Sequence, residues 1–364
     1  MVIESIDLKN FRNYGDLHID FDRDVNILYG DNGQGKTNVL EALYLCSTGK
    51  SHRGAKDFEM IRFAHDESHI KLTIRKNGLP LRLDVHIKRS KPKGVAVNGV
   101  PIRKISELFG MLHVVFFSPE DLSLVKNGPG ERRRFMDMEL CQMDKLYLHY
   151  LIRYNRIVFQ RNKLLKEIER RPDDKMLLDV WDEELVNTGK EIIAQRAIFL
   201  KELGELAAPI HEGISGGKEK LSIVYEPSAT PDSFAGDLAR GRKSDIRQGM
   251  TMTGPHRDDI CFLLDGKDAR RYASQGQQRS VALSLKLSEI ELVKKTIKDF
   301  PVLLLDDVFS ELDAHRQNDI FGVLGQLQTI ITCTGMEDML RERTGAKTVF
   351  KVAGGDVRWE SKPA

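Results

Sequence analysis

Eight consecutive residues, Gly30-Asp31-Asn32-Gly33-Gln34-Gly35-Lys36-Thr37, follow the spacing GxxxxGK[ST]. These residue types at these positions suit phosphate chemistry. Glycines let backbone N–H groups turn inward around phosphate oxygens, the lysine ammonium neutralises the outer phosphates, and the threonine hydroxyl can ligate Mg2+. A glycine-rich turn that ends by chance in lysine is the plain alternative, and the flanking sequence argues against it. VNILY before the motif reads as a strand, and TNVLEALYLC, running from Thr37 and Asn38, reads as a helix whose N-terminus favours anions.

Two further groups could serve the same chemistry. PVLLLDDVFSELD at 301–313 sets an apolar run directly before Asp306 and Asp307. Such a run reads as a buried parallel strand, and ligands of open α/β sheets bind at the C-terminal edge of such strands. Asp306 there suits Mg2+, directly or through water, and Asp307 can polarise an attacking water. The third group, Tyr272-Ala273-Ser274-Gln275-Gly276-Gln277-Gln278-Arg279-Ser280, opens the helix RSVALSLKLSEIELVKK, with Ser274 32 residues before Asp306. Taken alone, it is also the pattern of an ordinary N-capped helix start. His256 sits amid Arg257, Asp258 and Asp259, and hydrogen bonding within a loop accounts for it without a metal or catalytic role.

The elements that must position these residues show in the periodicity. VIESIDL, LHIDFD and VNILYG alternate as strands, and HIKLTIRK and LRLDVHIK flank the turn NGLP at 77–80 as a hairpin. From Leu140 to Ile168, and again from Trp181 to Leu206, apolar residues recur at spacings of three and four. These series predict two antiparallel helices of about 30 residues each, roughly 45 Å long, separated by RRPDDK at 170–175. The reading is an α/β fold. An ATPase-like lobe is built from 1–117 and 245–364, and a mainly helical lobe containing a short antiparallel hairpin is inserted at 118–244.

Composition excludes several classes. A chain of 364 residues with 41% hydrophobic side chains can bury a large core without disulfides, and Cys46, Cys141, Cys261 and Cys333 lie far apart, as fits reduced thiols in the cytoplasm. The start, MVIESIDLKNF, is no signal peptide, and no apolar stretch approaches the ~20 residues of a membrane span. The formal charge of +2 conceals an uneven distribution: residues 50–104 carry 14 Lys or Arg against 5 Asp or Glu, and residues 126–171 carry 12 against 6. A charge run is ordinarily a solvated face, but two in one chain fit a polyanion such as DNA. The candidate contacts are Arg53 and Lys56, just after the first helix, and Lys88, Arg89, Lys91 and Lys93 in the turn-like IKRSKPKG, with Arg132, Arg133 and Arg134 as the alternative.

The order of phosphate loop, Ser-x-Gly-Gln helix start and acidic strand resembles the ABC ATPase superfamily. Leu8-Lys9-Asn10-Phe11-Arg12-Asn13-Tyr14 resembles the opening of its SMC, Rad50 and RecF group, and Ser310-Glu311-Leu312-Asp313 resembles the D-loop that crosses the dimer interface. Phe117 to Asp121, Gly130 to Arg134, Thr253 to Asp259 and the short insertion extend the likeness to the RecF family over essentially the whole chain. The resemblance implies that ATP and Mg2+ are the cofactors and that Arg12 approaches the nucleotide phosphates. It further implies that Ser274, Gly276, Gln277 and Asp313 complete a nucleotide site in a head-to-head homodimer, with Lys36, Asp307 and Ser274 catalytic. It implies a weak, DNA-stimulated ATPase that acts as a switch in DNA repair, replication and the SOS response. Its partners would be duplex DNA at gaps or single-strand to double-strand junctions and RecR, with RecO and the loading of RecA. Departures are Gln275 where many members have glycine, no glutamine near 118–121, and Thr332-Cys333-Thr334 in place of a histidine. A transporter-type ATPase subunit would need that glutamine and histidine. An OLD-like ATPase would need a nuclease domain, for which the roughly 50 residues beyond Asp313 leave no room.

Overall fold

The alternating N-terminal residues form β1 (Val2–Phe11) and β2 (Tyr14–Asp20), an antiparallel pair in a computed structural model that describes residues 1–167 and 175–360. A register shift between Ile3 and Ser5 puts both Ile3 and Ile6 on the buried face, although a strict period of two would separate them. β3 (Val25–Tyr29) leads into α1 (Lys36–Thr48), and β4 (Glu67–Lys76), β5 (Leu79–Lys88), β6 (Lys91–Val97) and β7 (Val100–Pro101) extend the first sheet in the order β2-β1-β4-β5-β6-β7. Asn77 and Gly78 turn β4 into β5 with φ of 52° and 79°, the two left-handed residues that a tight hairpin requires.

β8 (Val114–Phe117) belongs to a second sheet. After it come the helices α2 (Leu122–Lys126), α3 (Pro129–Met143), α4 (Lys145–Glu167) and α5 (Lys175–Ser215). Then follow β9 (Leu221–Glu226), α6 (Phe234–Gln248), β10 (Asp259–Leu264), β11 (Lys267–Asp268), α7 (Ala269–Tyr272) and α8 (Gln275–Ile297). The chain returns through β12 (Val302–Asp306), α9 (Ala314–Leu324), β13 (Thr329–Cys333), α10 (Glu337–Thr344), β14 (Thr348–Ala353) and β15 (Asp356–Glu360). The second sheet runs β15-β14-β3-β13-β12-β8 and is parallel except for β15. α1 is buried nearly all round, through Val39, Leu40, Ala42, Leu43, Leu45 and Cys46, because it packs against strands of both sheets.

Contacts divide the chain into Met1–Asp121 with the described residues from Glu289 onward, and Leu122–Ser288. The expected split left 245–288 with the first unit. In the structure β10 pairs along its whole length with β9, from Asp259↔Glu226 to Leu264↔Leu221, which draws that segment into the second unit and gives it a three-stranded sheet beside its helices. The helical pair is also less even than expected. The first series breaks at Asp144, so Leu140 and Met143 belong to α3 and α4 has 23 residues. α5 has 41 and continues past Pro209. The expected break at 170–175 falls, apart from Lys175, outside the described residues. Tyr147, Tyr154, Ile157, Arg161 and Leu164 form the buried face of α4. The polar member of that face, Arg161, is held by Asp182 at 2.6 Å and Asp245 at 2.7 Å.

No helix among the described residues is long and apolar enough to cross a membrane. All four cysteines are free thiols.

Candidate nucleotide site

Three neighbouring parallel strands end side by side and supply the site. The register pairs Cys333 with Tyr29 and Asp306 with Thr332, so Gly30, Thr334 and Asp307 leave the sheet along one C-terminal edge. Gly30 takes φ 149°, and a β-carbon there would lie 2.2 Å from the Val352 carbonyl oxygen. Gly35, at φ 120°, is also crowded, with Asn13 and Tyr14 at 2.6 and 2.7 Å from where a β-carbon would stand. The loop between them exposes Asp31, Asn32 and Gly33. α1 begins at Lys36 with no acidic residue in its first turn and no side-chain cap, which leaves its positive end available to an anion.

The Lys36 ammonium is buried and folded back on the loop. It donates to Gly30 O at 2.6 Å, Asp31 O at 3.0 Å and Thr334 Oγ1 at 3.0 Å. Thr334 in turn donates to Asn32 Oδ1 at 3.2 Å. Thr37 Oγ1 and Thr332 Oγ1 both donate to Asp306 Oδ1, at 2.8 and 2.7 Å. The Thr37 hydroxyl and Asp306 carboxylate are hard oxygen donors, and Mg2+ characteristically takes one or two such protein ligands and fills its shell with water and phosphate. The donor set therefore fits Mg2+. No cluster of three or more His, Cys, Asp or Glu able to hold a metal occurs among the described residues.

Asp307 is differently placed. Its N–H donates to Thr332 Oγ1 at 3.0 Å, its backbone has φ 52°, and its Oδ1 is buried without a hydrogen-bond partner. Burial pushes its pKa above the ordinary carboxylate value, against the pull of the Lys36 ammonium. A strained, partly desolvated carboxylate beside a phosphate loop is suited to holding a water or a proton.

The turn between β1 and β2 clamps the loop from the other side. Asn13 Nδ2 donates to Gln34 O at 2.8 Å, Tyr14 Oη to Gly35 O at 3.0 Å, and Asn38 Nδ2 to Asn13 Oδ1 at 2.8 Å. Gln34 Oε1 accepts from Gly354 N at 2.6 Å. Arg12, expected near phosphates, spends its guanidinium on Glu41 of α1, at 2.7 and 2.6 Å, and on Glu59 O at 2.9 Å. Asn13, Tyr14, Glu41, Thr332 and Thr334 are site residues to which the sequence reading gave no role. The signal for the first two was their place in the LKNFRNY segment.

Ser274 and Gly276 lie in the other unit, at the start of α8, with Ser274 exposed. Ser274 and Gln277 form a reciprocal capping pair: Gln277 N donates to Ser274 Oγ at 3.3 Å and Ser274 N to Gln277 Oε1 at 2.7 Å. Both readings of this segment are therefore compatible, since the serine caps the helix and still faces outward. Asp313 is the N-cap of α9, accepting from Arg316 N at 3.0 Å.

Among the cations proposed for DNA, Lys91 and Lys56 are exposed, and Arg53 is exposed while donating to Asn38 Oδ1 at 3.2 Å. Lys88 lies 3.3 Å from Glu67 and Arg89 3.5 Å from Asp66. Lys93 departs from expectation. Lys91–Val97 is a strand and not a turn, and the Lys93 side chain is 8% exposed with its ammonium 2.6 Å from Asp57. Arg132 is also structural, buried and paired with Asp259 at 2.6 Å. The 253–259 segment is a hub of the second unit: Asp258 is 2.9 Å from buried Arg196, and His256 Nδ1 is 2.7 Å from Tyr154 Oη. Burial pushes the His256 pKa down to about 4.

The chain matches the family model described as the RecF/RecN/SMC N terminal domain over residues 2–357. It is 53% identical over 359 residues to the DNA replication and repair protein RecF of Lachnospira eligens, covering 98% of this chain and 99% of that protein. To the protein of the same name from Agathobacter rectalis it is 55% identical over 357 residues, with the same shares covered. A solved structure described as the recombination mediator protein RecF-ATP in the RecFOR pathway superposes with a TM-score of 0.93 at 35% identity, covering 99% of this chain and 97% of that chain. The Smc head domain of Pyrococcus furiosus shares the fold at a TM-score of 0.57 and 16% identity. A family model that spans nearly the whole chain, and relatives above half identity over their full length, accord with the geometry of the loop and its strand-edge acids: the chain belongs to the RecF family of the SMC- and Rad50-like ABC ATPases.

Proposed function

We propose that this ATPase is a cytoplasmic recombination mediator that uses ATP to switch between open subunits and a closed, DNA-holding homodimer. The observation that carries the reading is the convergence of Lys36, Thr37, Asp306 and Asp307 on one sheet edge, with Thr37 Oγ1 and Asp306 Oδ1 2.8 Å apart. Thr37 and Asp306 would hold Mg2+, which would supply neutralisation of the phosphate charge. Lys36 exchanges its loop carbonyls for phosphate oxygens, and Asp307 orients the attacking water through its unpartnered oxygen.

Ser274, exposed at the head of α8, completes the site on the nucleotide of a second subunit, and Asp313 lies along the same interface. ATP shared in this way binds the closed state more tightly than the open one, as a switch requires. Slow hydrolysis then releases the dimer. The closed form holds duplex DNA, with preference for gaps or single-strand to double-strand junctions. Arg53, Lys56 and Lys91 contact phosphates, and Lys88 and Arg89 contribute through partly neutralised heads. The RecFOR pathway named for a similar solved structure supports partnership with RecR and RecO, and the family resemblance implies a role in loading RecA.

Mixing subunits tests the composite site. Lys36→Arg and Ser274→Arg should each be inactive alone, whereas their heterodimer keeps one site with an intact phosphate loop opposite an intact Ser274 and recovers ATPase activity. No recovery in tag-verified heterodimers would reduce Ser274 to a helix cap.

A further inference from the structure

The glycine-rich stretch after α5 has so far no place in the function. Gly216 and Gly217 both take left-handed backbone, at φ 63° and 75°, and turn the chain so that Glu219 comes back beside His211 of α5. Glu219 there bridges two groups. Its Oε1 accepts from Gln277 Nε2 at 3.0 Å and its Oε2 lies 3.2 Å from His211 Nε2. His211 is fully buried, with Nδ1 2.9 Å from Ser284 Oγ, whose hydroxyl donates to Ser280 O at 2.7 Å. Burial holds the His211 pKa below its ordinary value, with Glu219 pulling the other way.

We propose that Glu219, oriented by His211, is a positioning residue for Ser274, through the chain Ser274, Gln277, Glu219, His211 and Ser284. The proposal rests on the composite-site reading above. Gln277 can hold Ser274 in one geometry only if its own amide is fixed, since a glutamine amide turns freely about its last bond. Its Oε1 is committed to Ser274 N, and its Nε2 is committed to Glu219. Ser274 Oγ accepts from Gln277 N, which leaves the hydroxyl proton to be directed outward at an anionic oxygen. Both ends of the chain return to α8, so the serine is referenced to its own helix and not to a mobile loop.

The test uses the full-length protein and the same mixing assay. Glu219→Ala should lower homodimer ATPase activity roughly tenfold, as loss of a hydrogen bond to a charged group implies. Affinity of the monomer for a fluorescent ATP analogue should stay unchanged. Glu219→Gln keeps an acceptor for Gln277 and should retain activity within about twofold, and His211→Asn should resemble Glu219→Ala. The distinguishing result is in trans: mixing Glu219→Ala with Lys36→Arg should recover activity, because the intact α8 start then comes from the Lys36→Arg subunit. Recovery with Ser274→Arg but not with Glu219→Ala overturns the proposal and leaves the composite site standing. No recovery with Ser274→Arg removes both. Should Glu219→Ala lower the melting temperature, Glu219→Gln and His211→Asn decide: equal activity in the two overturns the assignment.

Discussion

Arg12 and Glu41 form a two-pronged ion pair, at 2.7 and 2.6 Å, between the β1–β2 turn and the phosphate-loop helix. Burial works against ionising Glu41, yet hydrogen bonds from Arg12 and Ser51 more than offset it and hold its pKa below the ordinary value. The pair therefore stabilises the fold above the ordinary carboxylate pKa, and that contribution disappears as pH falls through the lowered one.

Arg12→Ala leaves a buried carboxylate without its cation and should cost about 3 kcal/mol in urea denaturation at pH 7. The difference from the unsubstituted protein should shrink on acidification below the ordinary carboxylate pKa. A constant difference down to acid pH would mean that Arg12 acts by packing alone.

Lys36→Arg should weaken ATP binding by about tenfold or more. The buried pocket formed by Gly30 O, Asp31 O and Thr334 Oγ1 fits a compact ammonium, and a planar guanidinium cannot reproduce those three directions. Titration with a fluorescent ATP analogue checks this, and unchanged affinity would remove Lys36 from the cradle.

Asp307→Asn should raise the melting temperature at pH 7. Ionised Asp307 is disfavoured by burial, its Oδ1 lacks a partner, and asparagine tolerates φ near 52° at least as well as aspartate. The sign follows from the raised pKa. The wild-type penalty exists above it, fades as pH falls through it, and is gone below the unfolded value, so the advantage of asparagine should vanish in acid. Calorimetry at pH 7 and pH 3 measures both. The same variant should bind ATP and hydrolyse it at least a hundredfold more slowly, in line with losing a group that orients water.

Lys91→Glu should flatten the slope of log DNA affinity against log salt by about one unit for each phosphate that the lysine neutralises. Lys93→Glu should instead act on stability, because it sets a second carboxylate against Asp57. Anisotropy titrations at several salt concentrations separate the two. A slope unchanged by Lys91→Glu would take this strand off the DNA surface.

That contrast between Lys91 and Lys93 shows where the sequence stopped being legible. The phosphate loop, Asp306 and Asp307 stood out because each is a local run, and the Ser274 segment was legible as a capped helix start. Thr332 and Thr334 could not be read, because they reach Asp306 and Lys36 only through the register of β3, β13 and β12, with Lys36 and Thr334 298 residues apart. The Asp57 partner of Lys93 is likewise a tertiary neighbour, and a charge count sees neither it nor the burial it allows. The second boundary of the inserted unit was missed for the same reason, since the pairing of β10 with β9 leaves no local mark at residue 245. The helical stripe on α4 was readable because its buried positions repeat, including Arg161, whose two carboxylate partners let an arginine occupy a core position.

Sedimentation velocity of Asp307→Asn, with and without ATP and Mg2+ and with and without a duplex oligonucleotide, tests the switch most directly. The account predicts a monomer without nucleotide, a dimer with ATP, and a DNA-bound dimer when both ligands are present, with Lys36→Arg monomeric throughout. A sedimentation coefficient unchanged by ATP, or dimerisation of Lys36→Arg equal to that of Asp307→Asn, would contradict it.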